Sequence, residues 1–104
     1  MSDMNRKICL TEFEAISLYK DIDYILISLN NIGHYYFNEP TIDEGGRRAY
    51  EQETTNFIDD NEITKLLSRV RGGIGSKFDL ELGEDDMDDL ERATENTKYW
   101  ERPY

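Results

Sequence analysis

The sequence predicts an all-α protein, a small single-domain helical bundle of about four helices over residues 1–104. Three observations lead to this fold class. The chain has 104 residues, the usual length of one compact domain. Its aromatic fraction of 12% provides large side chains for a core, which disordered acidic chains usually lack. Apolar residues recur at intervals of three and four, which is the period of an amphipathic helix.

The first predicted helix starts at Thr11. Glu14 follows three residues later, so the two side chains can each accept a hydrogen bond from a backbone N–H at the start of the helix. Apolar residues recur at intervals of three and four from position 13 to position 32, which predicts a helix with one apolar face as far as about Asn31. Gly33 can take a positive φ, so the stretch "NNIG" predicts the end of this helix.

The middle of the chain predicts two shorter helices. Pro40, Gly45 and Gly46 indicate a loop, and a short amphipathic helix is expected over residues 47–58. Asp59 or Asp60 is expected to cap the next helix, whose apolar stripe begins at residue 63. This third helix is predicted to residue 71, and the assignment beyond that residue stays open because the glycines at 72, 73 and 75 weaken a helix interior.

The C-terminal third is harder to assign. Residues 76–82 alternate like a strand but also continue the helical stripe, and the helical interpretation is slightly favoured. After Gly83 a last helix is expected over residues 84–96, with Met87, Leu90 and Thr94 facing inward. Trp100 is predicted to pack at the edge of the core.

The net charge is −11, from 23 acidic and 12 basic side chains. A chain this acidic repels nucleic acids and anionic membranes, and it attracts basic proteins through long-range steering. No direct nucleic-acid or membrane partner is therefore expected. Neither a signal sequence nor an apolar stretch of membrane-spanning length is recognisable, so the protein is expected in the cytoplasm.

Most of this charge lies between residues 79 and 95, where nine carboxylates face one guanidinium, that of Arg92, for a net charge of −8. Two or three acidic side chains would be enough to interact favourably with the unpaired N–H groups at the N-terminus of a helix. A solvated helix face and a docking surface for cationic side chains are both consistent with the excess. The candidate partner-binding residues are Asp79, Glu81, Glu84, Asp85, Asp86, Asp88, Asp89, Glu91, Glu95, Tyr99 and Trp100.

A calcium loop of the EF-hand type does not fit the acidic run. Counting from Asp79, Glu84 occupies the position that requires glycine, and Leu90 occupies the position of the bidentate glutamate. A looser magnesium site formed by Asp85, Asp86 and Asp89 is a remaining alternative. No metal and no cofactor are predicted.

No catalytic residues are predicted, so the protein is not expected to be an enzyme. His34 is the only histidine and has no serine or cysteine motif beside it, which favours a structural role. Cys9 is the only cysteine, so no disulfide within the chain is possible, and a small buried side chain is expected. The carboxylates of the acidic run are expected to be exposed and to keep ordinary pKa values.

The stretch "FDLELGEDDMDDLERATENTKYWERP", residues 78–103, resembles small immunity proteins of bacterial contact-dependent growth inhibition systems. This resemblance implies a cytoplasmic antitoxin without chemistry of its own. Such a protein binds a cognate basic toxin domain, commonly a nuclease, as a heterodimer and often obstructs its active site. Two alternatives remain: a phage-type inhibitor that mimics nucleic acid against a DNA- or RNA-handling protein, and a structural protein whose acids maintain solubility.

Overall fold

A computed structural model describes residues 7–37, 43–78 and 81–104 of the chain. Within these residues the protein is helical and has no strand, which confirms the predicted all-α class. The four helices are α1 (Glu12–Tyr36), α2 (Glu44–Asp60), α3 (Ile63–Gly75) and α4 (Asp89–Thr94).

Packing divides the chain into two compact units. One unit is Leu10–Gly73, which contains α1, α2 and most of α3. The other contains, among the described residues, 7–9, 74–78 and 81–104. The organisation of residues 1–104 as one domain stays a prediction.

Helix α1 begins as its sequence predicts and ends later. The Thr11 N–H donates to Glu14 Oε1 at 2.9 Å, and the Glu14 N–H donates to Thr11 Oγ1 at 3.0 Å, so the capping box is confirmed. The predicted end near Asn31 and Gly33 is wrong, because α1 continues to Tyr36. Gly33 does not take a positive φ, and the Tyr36 ring packs on Tyr50 of α2 at a centroid distance of 6.3 Å.

Helix α2 begins earlier than predicted. The Asp43 carboxylate caps it by accepting from the Gly46 N–H at 2.6 Å, so the glycine pair lies in the first helical turn instead of a loop. Two exposed ion pairs stabilise the same segment, and each joins residues that are one helical turn apart. Arg48 pairs with Glu44 at 2.8 Å, and Arg47 pairs with Glu51 at 2.9 Å. The expected loop residue Pro40 lies outside the described residues.

The connection from α2 to α3 is a tight turn. Asp59 and Asp60 belong to the last turn of α2, so the prediction that one of them caps α3 is wrong. Asn61 ends α2, and its Oδ1 accepts a hydrogen bond from the Tyr24 hydroxyl of α1 at 3.0 Å. Glu62 then reverses the chain with φ of 49°, a left-handed conformation that is uncommon for a residue with a side chain.

Helix α3 continues past residue 71 to Gly75, so the glycines at 72 and 73 do not break it. A Cβ on Gly73 would lie 2.9 Å from Leu18 Cδ2, so glycine at this position lets α3 approach α1 closely. Packing therefore compensates for the low helix propensity of glycine. The buried apolar residues of the described chain are Ile25 on α1 and Ile63 and Val70 on α3.

Several C-terminal predictions are wrong. Residues 76–78 form a turn, residues 81–83 have no regular structure, and the last helix is only six residues long. Cys9, near the other end of the chain, is exposed instead of buried, and Trp100 is 83% exposed instead of packed against a core.

Over the described ranges, no helix combines the length and the apolar character needed to cross a bilayer.

Candidate functional site

The acidic segment, residues 81–95, folds into a turn followed by α4. The Gly83 N–H donates to the Met87 carbonyl oxygen at 2.9 Å, and the Asp86 N–H donates to the Gly83 carbonyl oxygen at 3.1 Å. Asp86 has φ of 59°, so it takes the left-handed conformation that reverses the chain. The side chain of Asp85 accepts from the Met87 N–H at 3.2 Å, which closes the turn on its inner side.

Arg92 holds this turn from α4. Its Nε and Nη2 donate to the two oxygens of Asp85 at 2.8 and 2.7 Å, which is a bidentate ion pair. Its Nη1 donates to Asp89 Oδ1 at 3.1 Å, and Nη2 also donates to the Met87 carbonyl oxygen at 2.9 Å. One guanidinium therefore joins two carboxylates and a backbone carbonyl and fixes the turn against α4.

Asp88 and Glu91 start α4. The Glu91 N–H donates to Asp88 Oδ1 at 2.8 Å, and the Asp88 N–H donates to Glu91 Oε1 at 3.5 Å, which together form a capping box. The predicted helix over residues 84–96 is therefore wrong at its start, because the turn around Arg92 uses residues 83–87 and the cap lies at Asp88.

The ion pair changes the acid–base behaviour of Asp85. The hydrogen bonds from the Arg92 guanidinium, and next the Met87 N–H, lower the pKa of the Asp85 carboxyl to about 2, although desolvation opposes this shift. The same pair raises the pKa of Arg92, chiefly through the hydrogen bonds that its guanidinium donates to Asp85. The expectation that all carboxylates of the segment keep ordinary pKa values is wrong at Asp85.

The candidate carboxylates therefore separate into two groups. Asp85, Asp88, Asp89 and Glu91 maintain the turn and the helix cap. The second group is exposed, and its side chains make no hydrogen bond or ion pair within the part of the chain that the structure describes; it consists of Glu84, Asp86 and Glu95. Glu81 is exposed and has an interaction of its own, and Asp79 lies outside the described residues.

The two aromatic candidates follow α4 in an irregular segment. Tyr99 is 72% exposed and Trp100 is 83% exposed, so both rings are accessible to a partner. His34 is exposed in the last turn of α1. Among the described residues, no group of three or more histidine, cysteine or carboxylate side chains is arranged to hold a metal ion. Asp85 and Asp89, two residues of the magnesium alternative, bind the Arg92 guanidinium instead.

The role of Arg92 was not predicted from the sequence. The available signal was its position as the single basic residue of the acidic run, three residues after Asp89. That spacing brings the two side chains together on one helix, and the pair with Asp85 needs the turn, which periodicity does not reveal.

A scan against protein-family models found no match, and searches among curated proteins and solved structures found none either. The side chains of the acidic segment and of the helices are therefore the basis on which a function can be proposed.

The Asp85–Arg92 pair makes the order of the turn dependent on pH. Because the pKa of Asp85 is lowered from 3.8 to about 2, its stabilising effect is complete above the unfolded pKa and is lost as pH falls from about 4 to 2. NMR titration of the Asp85 side chain should give a midpoint near 2. In an Arg92→Gln variant the midpoint should return to the ordinary aspartate range, and an identical midpoint in both proteins would show that the pair does not form in solution.

Proposed function

We propose that this protein is an immunity protein that binds and neutralises a basic toxin domain, with a nuclease as the expected class of toxin. One observation carries the proposal: Glu84, Asp86 and Glu95 are exposed on a segment whose turn is fixed by Arg92. These carboxylates are not used by the caps or by the ion pairs. They are therefore available to cationic side chains of a partner.

A fixed anionic surface suits a cationic partner for two physical reasons. First, the net charge of −11 raises the rate of encounter with a basic protein, since opposite potentials steer the two molecules together. Second, the turn is already ordered, so less conformational entropy is lost on binding than for a flexible acidic tail. A nuclease must attract phosphate, and a surface that attracts phosphate also attracts carboxylates.

Aromatic side chains complete the proposed contact. Tyr99 and Trp100 are exposed, and tyrosine and tryptophan are enriched among the residues that dominate binding energy. The resemblance of residues 78–103 to immunity proteins of contact-dependent growth inhibition systems points to the same class of partner. In this proposal the protein acts in the cytoplasm, forms a heterodimer with the toxin and has no chemistry of its own.

Co-expression tests the proposal directly. The protein encoded immediately upstream of this chain is expressed in a bacterial host, alone and together with this chain. The upstream protein alone should stop growth, co-expression should restore it, and the two purified proteins should elute as one complex. Growth arrest that persists with this chain present would contradict the immunity function. A harmless upstream protein, together with capture of a host DNA-binding protein, would favour the nucleic-acid mimic instead.

A further inference from the structure

One apolar face of helix α1 is covered, and a second apolar face with a regular spacing is exposed. The covered face contains Leu18, Ile25 and Ile32, which recur every seven residues and are buried or half-buried. The second face lies about 80° further round the helix at 100° per residue. We call it the α1 seam and define it by Ala15, Tyr19, Ile22, Leu26, Leu29 and Gly33.

The large side chains of the α1 seam are accessible. Tyr19 is 69% exposed, Leu26 is 54% exposed, and Ile22 and Leu29 are 45% and 37% exposed. Successive seam residues are separated by four, three, four, three and four positions. This alternation is the heptad repeat of helices that pack along their length, and it differs from a random scatter of exposed apolar residues. The 25 residues of α1 provide room for several such layers.

We propose that the α1 seam is the interface of a homodimer in which the α1 helices of two copies pack antiparallel. The distribution of charge along α1 favours this direction. Glu12, Glu14, Asp21 and Asp23 all lie in the first half of the helix, whereas residues 24–36 contain no acidic or basic side chain other than His34. A parallel pair would place four carboxylates beside four others, and an antiparallel pair places them beside the nearly uncharged half.

One antiparallel register brings every seam residue onto a seam residue of the second copy. With the twofold axis near residue 24, Ile22 faces Leu26 of the second copy and Tyr19 faces Leu29 of the second copy. The outermost layer combines two small residues, Ala15 and Gly33. In each layer, a residue at one of the two heptad core positions packs against a residue at the other core position of the second copy. No seam residue therefore remains unpaired.

The area of the surface agrees with the requirement of a stable dimer. A standard interface buries about 800 Å² on each partner, and about 65% of a homodimer interface is apolar. The four large side chains of the α1 seam together expose on the order of 400 Å², since a fully exposed large side chain presents roughly 200 Å². The α1 seam therefore supplies most of the apolar area that one such interface needs.

Sedimentation velocity of the 104-residue chain over a range of concentrations tests the dimer. The wild-type protein should be dimeric at tens of micromolar, and Leu26→Glu should raise the dissociation constant at least about 100-fold, because it places a carboxylate beside apolar residues. Ile27→Glu is the matched control, since Ile27 is 47% exposed on the same helix but lies outside the seam. Circular dichroism checks that both variants keep their helix content.

A variant that strengthens the dimer separates this interface from a general loss of folding. Asp23 lies on the flank of the seam, one residue from the proposed axis, so the Asp23 side chains of the two copies lie near each other on the same side of the interface. Asp23→Asn should therefore tighten the dimer several-fold at low salt. A wild-type protein that stays monomeric at all concentrations would overturn the proposal. Equal effects of Leu26→Glu and Ile27→Glu would overturn it as well.

Disulfide trapping tests the direction of the helices. In a Cys9→Ser background, Ala15→Cys and Gly33→Cys are introduced together and the protein is oxidised. Position 15 of one copy should link to position 33 of the other, whereas links between two copies of position 15 would overturn the antiparallel arrangement. The proposal does not depend on the immunity function, because every measurement uses the free protein.

Discussion

Replacing Ile25 with alanine should lower the free energy of unfolding by about 2 to 4 kcal/mol, the usual loss when a buried isoleucine is truncated to alanine. Ile25 is one of three apolar residues that are buried in the described chain. Small domains have a total stability of about 5 to 15 kcal/mol, and a core of this size places the protein toward the lower end. The substitution should therefore remove a large fraction of the stability.

Ile27 provides a matched control for this substitution. It lies two residues away on α1, has the same chemistry and is 47% exposed, so Ile27→Ala should change the free energy of unfolding by about 0.5 kcal/mol or less. Urea unfolding followed by circular dichroism measures both variants at the same protein concentration. Equal losses at the two positions would show that the packing of α1 in solution differs from the packing described.

The helices α1, α2 and α3 were predictable because they are long enough to repeat an apolar pattern. Their ends were less predictable, and glycine is the common reason. Gly33 and Gly46 suggested a helix end and a loop, yet both lie inside helices without a positive φ. At Gly33 the packing of Tyr36 and Phe37 on Tyr50 extends the helix, since contacts with another helix override local propensity.

The acidic segment could be located from sequence, but its geometry could not. Local charge density identified residues 79–95, whereas the turn is fixed against α4 by a bidentate pair between Asp85 and Arg92, which are seven positions apart. A helical pattern brings together residues three or four apart, so it does not reveal that pair. The same limit explains why the helix predicted over residues 84–96 is short in the structure.

The two faces of α1 were also merged in the sequence pattern. Ile22, Ile25, Leu26, Leu29 and Ile32 read as one apolar stripe, because both sets recur at intervals of three and four. Burial separates them: Ile25 and Ile32 are covered, and Ile22, Leu26 and Leu29 are exposed. Packing information was therefore needed to recognise the α1 seam.

Neutralising Glu84, Asp86 and Glu95, the exposed carboxylates of the acidic segment that make no hydrogen bond or ion pair in the described chain, should weaken the binding of the proposed toxin about 10- to 100-fold at low salt. The variant combines Glu84→Gln, Asp86→Asn and Glu95→Gln. Charges at the rim of an interface act mainly on the association rate, so the rate of association should fall while the rate of dissociation changes little. The slope of affinity against salt concentration should also become smaller, because fewer ion pairs are screened.

The design keeps the fold of the segment unchanged. Asp85, Asp88, Asp89 and Glu91 remain, so the turn and the cap of α4 are retained. Asparagine is suitable at position 86 because it tolerates the left-handed conformation of that residue, which has φ of 59°. Each replacement also preserves the shape of the side chain, so a change in affinity reports the charge alone.

A control on α2 distinguishes the effect of the charge on the acidic segment from the effect of the net charge of the whole protein. Glu53→Gln, Asp59→Asn and Asp60→Asn remove the same three charges from exposed side chains outside the acidic segment. If the whole field of the protein steers the toxin, both triple variants should slow association equally, and the segment would lose its special role. If the segment is the contact, as proposed, the α2 variant should bind within about threefold of the wild-type protein, because its three charges make no ion pair with the toxin and act only through a long-range field that salt screens. Surface plasmon resonance at several salt concentrations, with the purified toxin domain immobilised, measures both rates and distinguishes the two cases.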